Sequence, residues 1–320
     1  MLESQGPPSV LRAVDCELPE PGQGQVLVRV VATGVNVVDL LQRSGSYAVS
    51  LPFTPGLEGS GVVERVGPGT GGVSPGDRVA WAAPAGSYAT HCLVRADRIV
   101  PVPERLPLEV AATVLVQGMT AHALATDVVP LRPGDVCLVH AAAGGVGGLL
   151  CQYAAARGAT VVATASGAEK AQTALAHGAR YVVDYAVDYT VEDVAARVRE
   201  LTGGVDVVYD GVGRDTFAAG LSCLRPRGTF VLYGQTSGPV PPVDPQVLQA
   251  GGSLFLTKAS LGAYDPTRED LLRRAATVFD DVLARRLVPR LHAAYALEEA
   301  AEAHAEIESR RSIGKLLLRP

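Results

Sequence analysis

The apolar positions of this chain follow two rhythms. From Val136 to Val139 they form a short unbroken run, the pattern of a strand buried on both faces, and Val146, Leu149, Leu150, Tyr153 and Ala154 then recur along one helix face. Thr160 to Thr164, Tyr181 to Tyr185, Val205 to Asp210, Gly228 to Gly234 and Leu254 to Thr257 read as further strands, separated by helical stretches. Alternation at this spacing predicts a doubly wound parallel sheet. Upstream the rhythm is shorter. Gln25 to Thr33 reads as a strand, and Gly34 to Asp39 leads into a short helix ending near Arg43. Between Pro55 and Cys92, brief apolar runs are cut by Gly56, by Gly67-Pro68-Gly69 and by Pro75-Gly76-Asp77, which predicts a compact antiparallel barrel. Pro107 to Val128 turns helical. After the last parallel strand, Asp265 or Thr267 can cap an amphipathic helix through Leu271, Ala275, Val278 and Leu283. A helix from Leu297 to Glu308 then precedes a strand from Lys315 to Leu318. The expected division is a β-rich domain of residues 1–118 and 264–320, and an α/β domain of residues 119–263.

The turn between Val139 and the following helix is Ala141-Ala142-Ala143-Gly144-Gly145-Val146-Gly147. A tight turn with close helix packing would use such glycines, and so would a dinucleotide site. There the phosphates approach a backbone without side chains, and the helix N-terminus stabilises their charge. The strands around it favour the second reading. After the next strand, where an NAD site usually carries an acidic residue for the ribose hydroxyls, the chain has Ala165-Ser166-Gly167, with Lys170 one helical turn on. This chemistry favours a 2′-phosphate, hence NADPH over NADH. Lys170 also reads as an ordinary solvated helix lysine. Tyr185 either flanks the adenosine or is a half-buried strand aromatic.

Composition narrows the class. At 320 residues and 48% hydrophobic, the chain can bury a full core. A net charge of -5 gives no electrostatic reason to bind nucleic acid or an anionic membrane. No apolar run reads as long enough to span a membrane, and the first residues lack a signal-peptide pattern, so the cytoplasm is the expected compartment. Five scattered cysteines suit reduced thiols.

The motifs Gly34-Val35-Asn36-Val37-Val38-Asp39, Arg43-Ser44-Gly45-Ser46-Tyr47, Pro55-Gly56-Leu57-Glu58-Gly59-Ser60-Gly61, Gly76-Asp77-Arg78-Val79, His140 to Gly147, Tyr209 to Thr216 and Gly314-Lys315 span nearly the whole chain in order. Together they resemble the medium-chain dehydrogenase/reductase superfamily, and within it the zinc-independent quinone oxidoreductase, or ζ-crystallin-like, branch. The resemblance implies a GroES-like barrel domain joined to a Rossmann domain. Members usually have a further strand before a segment like Gly6 to Leu11, and this chain departs from them there. Zinc-dependent members carry a cysteine where Asn36 stands and a histidine where Leu57 stands. Neither replacement is a usable zinc ligand, so no catalytic metal is expected.

The implied reaction is hydride transfer from NADPH to a quinone, or alternatively to an α,β-unsaturated carbonyl or acyl thioester as in enoyl reductases. A non-catalytic dinucleotide-binding or redox-sensing protein is a further reading, of another class. By the resemblance, Asn36 and Thr120 position the nicotinamide carboxamide or ribose, and Tyr47 packs beside the acceptor or hydrogen-bonds its oxygen; Asn36 and Tyr47 are the catalytic candidates. Gly144, Gly145, Val146 and Gly147 carry over as the pyrophosphate loop, and Ser166, Lys170 and Tyr185 as the 2′-phosphate and adenosine end. Tyr233, Gly234 and Gln235 end a strand at the cofactor crevice. Gly213 and Lys258 are candidates that a turn glycine and a solvated lysine explain equally well. The family often pairs the strand matching Leu254 to Thr257 between subunits, so a homodimer is expected.

Overall fold

The computed structural model describes residues 1–83, 86–184 and 194–320. Two compact units emerge, one of Met1–Gln117 with Pro266–Pro320 and one of Gly118–Asp265. In the first, β1 (Gln25–Val35) runs into α1 (Val37–Ser44) and is followed by β2 (Glu58–Val66), β3 (Arg78–Ala82), β4 (His91–Arg95) and β5 (Ile99–Pro101). Helix α2 (Leu108–Ala123) comes next and ends in one wider, π-type turn, Leu124–Val128. The second unit contains β6 (Val136–Val139), α3 (Gly145–Ala156), β7 (Thr160–Ala165), α4 (Ala168–Ala176), β8 (Tyr181–Asp184), α5 (Val194–Thr202), β9 (Val205–Asp210), α6 (Phe217–Cys223), β10 (Leu224–Leu232), α7 (Pro245–Ala250), β11 (Phe255–Lys258) and α8 (Leu261–Tyr264). The chain then returns to the first unit through α9 (Arg268–Leu283), β12 (Leu291–Ala296), α10 (Ala300–Glu308) and β13 (Lys315–Arg319).

Strand β1 organises the first unit because alternating Val26, Val28 and Val30 face one core while its backbone pairs with β2, β4 and β13. The sheet runs β12-β13-β1-β2-β3-β5, with β4 also on β1, and irregularities in the β1–β2 register at Leu27/Val28 and Val30/Ala32 bend it. Trp81, fully buried, fills the centre of this core with Val63, Val94 and Ile99. Burial of a side chain that size contributes on the order of 3 kcal/mol. Helix α9 is capped by Thr267, whose side chain accepts from Asp270 N, which decides between the two residues the sequence offered.

The second unit is a six-stranded parallel sheet in the order β8-β7-β6-β9-β10-β11. Its central strands β6, β7 and β9 are buried on both faces, which is why they read as largely apolar runs. Leu138, Val162, Val208 and Phe230 form its core. Cys137 and Cys151 are fully buried in β6 and α3, and burial pushes the Cys151 thiol up to about 12. Both act as small packing residues.

Two expectations need correction. Strand β12 was not foreseen, because Leu-His-Ala-Ala-Tyr-Ala has neither a β-branched run nor a clear alternation, and it forms by pairing in parallel with β13. The stretch Leu108–Val128 is, contrary to the sequence reading, long and apolar enough to cross a membrane; 61% of its most apolar window is buried within the structure, as for a core helix.

Candidate active site

The expected site residues fall on both units. On the α/β unit, the strand order reverses direction between β6 and β9, the switch point at which open α/β sheets bind ligands beyond the carboxyl ends of their strands. There His140 N donates to Tyr209 O and Ala142 N to Thr164 O, so the loop after β6 hangs from both neighbouring strands. Ala141 turns it through a left-handed conformation (φ 51°). Gly144 is the N-cap of α3, and Gly145, Val146 and Gly147 form its first turn. The first-turn N–H groups of a helix have no acceptor within it. Gly147 has a packing reason as well: a Cβ there would stand 2.5 Å from Ala141 O and 3.0 Å from Ala142 Cα. The loop therefore lies directly on the helix start, leaving bare backbone donors in the dipole of a twelve-residue helix, and it fits a pyrophosphate.

Ser166 follows β7, and Lys170 lies in the first turn of α4; both are half-buried. Asp184, a carboxylate the sequence reading passed over, accepts from Gly167 N at 3.2 Å, so this end carries a negative group as well as a lysine. Tyr185 lies outside the described residues.

At the ends of β9 and β10 the fully buried Asp210 builds the next loop. Its Oδ1 accepts from Val212 N (2.6 Å) and Gly213 N (3.0 Å), and its Oδ2 from Thr216 Oγ1 (2.7 Å). Gly213 sits at φ +93°, which is the turn-glycine explanation. Gln235 and Lys258 are brought together, Lys258 Nζ donating to Gln235 Oε1 at 3.1 Å. Thr120 and the half-buried Tyr233 line one small pocket with Leu124, Ala259, Leu261 and Tyr264.

On the β-rich unit, β1 ends where α1 begins, and Asn36 is the N-cap between them. Its Nδ2 donates to Glu58 Oε1 (2.8 Å) and Gly34 O (3.1 Å), while its Oδ1 accepts from Lys315 Nζ (2.7 Å). Lys315 also forms a buried ion pair with Glu58. In the sequence Glu58 belongs to one motif, and Lys315 to another and to the start of a strand; no periodicity joins them. Tyr47 is 38% exposed, and its side chain has no hydrogen-bond partner among the described residues. Of the two positions that hold zinc in zinc-dependent relatives, Asn36 is committed to Glu58, Gly34 and Lys315, and Leu57 has no donor atom. Among the described residues no group of three or more His, Cys, Asp and Glu side chains could hold a metal ion, so the residues do not fit a catalytic zinc.

A second buried chain adjoins Asn36. Asp39 Oδ2 accepts from Asn36 N (2.9 Å) and lies 3.3 Å from Tyr88 Oη, which is 3.0 Å from His304 Nε2. Burial pushes the Asp39 carboxyl up to about 7, against the Asn36 N–H and the Lys315 charge, and burial lowers His304 to about 3. The Tyr88 hydroxyl donates to Asp39 Oδ2, and its oxygen can accept from a neutral His304 carrying its proton on Nε2.

A family model described as alcohol dehydrogenase GroES-like domain matches residues 22–104, and one described as zinc-binding dehydrogenase matches residues 145–274. A quinone oxidoreductase of Pseudomonas aeruginosa is 41% identical over 98% of this chain and 97% of that protein. A 2-haloacrylate reductase of a Burkholderia species is 37% identical over 100% of this chain and 98% of its own. A mycobacterial protein whose structure was solved in complex with NADPH superimposes with a TM-score of 0.96 at 45% identity, over 100% of this chain and 98% of that one. Matched along its whole length and in both domains, the chain belongs to the quinone oxidoreductase branch of the medium-chain dehydrogenase/reductase superfamily.

Proposed function

We propose that this protein is a zinc-independent NADPH:quinone oxidoreductase. The observation that carries the reading is the intact glycine loop between β6 and α3, set in a chain 41% identical over nearly its full length to a quinone oxidoreductase. The NADPH seen with the mycobacterial relative supports the choice of cofactor. Bound NADPH supplies a hydride from its nicotinamide to an electron-poor conjugated acceptor. The chain's own groups bind and orient. Gly144, Gly145, Val146 and Gly147 hold the pyrophosphate, and Ser166 and Lys170 receive the 2′-phosphate. Thr120, Tyr233, Gly234 and Gln235 are the nicotinamide-end residues of the α/β unit, with Gly213 and Lys258 supporting their loops, and Asn36 is the candidate nicotinamide-end residue of the β-rich unit. Tyr47, whose hydroxyl has no partner among the described residues, packs beside the acceptor or donates to its oxygen. Orientation and exclusion of water supply much of the catalysis for such an acceptor.

The 2-haloacrylate reductase relative favours a second reading, reduction of an activated carbon–carbon double bond by the same transfer. NADPH oxidation by the purified protein, with a para-quinone, an ortho-quinone, an enone and a crotonyl thioester in parallel and each repeated with NADH, tests both. Quinone turnover selective for NADPH supports the first reading, and turnover only with an enone or the thioester moves the protein to the second. Tight NADPH binding with no turnover would leave a non-catalytic binding protein and refute both.

A homodimer is part of the proposal. Strand β11 closes one edge of the parallel sheet with Phe255 60% and Leu256 36% exposed, an apolar edge that needs covering. The free cysteines support a cytoplasmic setting.

A further inference from the structure

A side-chain amide has two N–H donors and one oxygen. In Asn36 both donors are spent, on Gly34 O and Glu58 Oε1, and one lone pair of the oxygen is taken by Lys315 Nζ. The arrangement cannot invert. A flipped amide would set its N–H groups against the Lys315 ammonium and its oxygen against the Glu58 carboxylate, both about 1% exposed and beyond the reach of screening water. The pair is itself held firmly. Glu58 Oε2 accepts from Val116 N at 3.0 Å, and the absence of a side chain at Gly34 leaves room for the pair, since a Cβ there would stand 2.6 Å from Lys315 Cε and 2.8 Å from Ala112 O. Three sequence motifs separated by up to 279 positions meet at this one amide.

We infer that Glu58 and Lys315 are positioning residues whose ion pair locks the Asn36 amide, so that Asn36 offers the cofactor only a carbonyl oxygen and receives a hydrogen bond from a donor group at the nicotinamide end. This rests on the proposed reading of Asn36 as a nicotinamide-end residue. It narrows that reading in a definite way: the donor is a carboxamide N–H or a ribose hydroxyl, and Asn36 does not polarise the oxygen of the acceptor. The task of hydrogen-bonding that oxygen then falls to a residue with a free proton, such as Tyr47.

The test separates locking from mere support of the fold. Lys315→Met leaves the Glu58 carboxylate buried without its partner, so it should lower stability, while Glu58 Oε1 and Gly34 O still hold the Asn36 N–H groups and KM for NADPH rises by less than about threefold. The double variant Glu58→Gln/Lys315→Met removes both charges. It should recover most of the stability, yet raise KM for NADPH about tenfold, the effect of one lost hydrogen bond, with kcat changed by less than about threefold, because Gly34 O alone does not fix the orientation of the amide. In an Asn36→Ala background, itself raised in KM, the double change should add nothing further to KM. A double variant that recovers both stability and the wild-type KM would make the pair structural only and overturn the inference, leaving the role of Asn36 intact. Wild-type KM in Asn36→Ala would overturn the inference and the role of Asn36 together.

Discussion

Replacing Asp39 with asparagine should make the protein relatively more stable as pH rises, and the size of the effect follows from where the carboxyl sits. Its ordinary value is 3.8, and in the folded protein burial pushes it up to about 7. The folded state therefore holds this proton more tightly than the unfolded chain does. Its contribution is fully present below pH 3.8, declines as the unfolded chain gives up the proton, and is lost by about pH 7. A displacement of about three units at roughly 1.4 kcal/mol each amounts to roughly 4 kcal/mol across that window. The wild-type profile by itself conceals the effect. His304, two hydrogen bonds away, has a folded value of about 3 against an ordinary 6.5, so it contributes stability above 6.5 that is lost as pH falls toward 3. The two slopes oppose each other over the same range. Asp39→Asn isolates one of them: with its oxygen in the Oδ2 position the amide still accepts from Asn36 N and from the Tyr88 hydroxyl, and position 39 no longer titrates. Equilibrium urea unfolding of both proteins, followed at several pH values between about 4 and 8, should show the variant gaining roughly 4 kcal/mol relative to wild type from the acid to the neutral end. Parallel curves would mean that Asp39 titrates alike in both states and would refute the account of this buried chain.

Three further outcomes follow from the same structure. Gly147→Ala should weaken NADPH binding, measured by fluorescence titration, by more than about tenfold, because its Cβ meets backbone atoms of the phosphate loop and displaces the α3 first-turn donors that hold the pyrophosphate. Ala141→Gly relieves a left-handed alanine costing about 1–2 kcal/mol against the greater entropy of an unfolded glycine, so thermal or urea unfolding should report a net gain of roughly 0.5–1 kcal/mol. Phe255→Lys puts a charge on the exposed edge strand; with the proposed dimer, light scattering should find the mass of two chains for the wild type and of one for the variant, with NADPH binding retained.

The parallel sheet was legible because its strands are short apolar-rich runs separated by helical stretches, and the phosphate loop because its chemistry is local: a strand, glycines and a helix within about a dozen positions. What the sequence hid was every feature made by pairing across long separations. Strand β12 has no strong pattern of its own and exists as the parallel neighbour of β13. Lys315 looks like the polar start of a strand, yet it is 1% exposed, and only the fold reveals that its charge is answered by Glu58, 257 positions earlier. A buried lysine costs too much to stand alone, so its partner had to exist; composition and periodicity could not say where. The same limit applies to Asn36. Its residue type suggested a donor or an acceptor equally, and its neighbours in sequence are apolar; the choice between the two roles is made by Glu58 and Lys315, which direct its N–H groups inward and leave only an oxygen to offer.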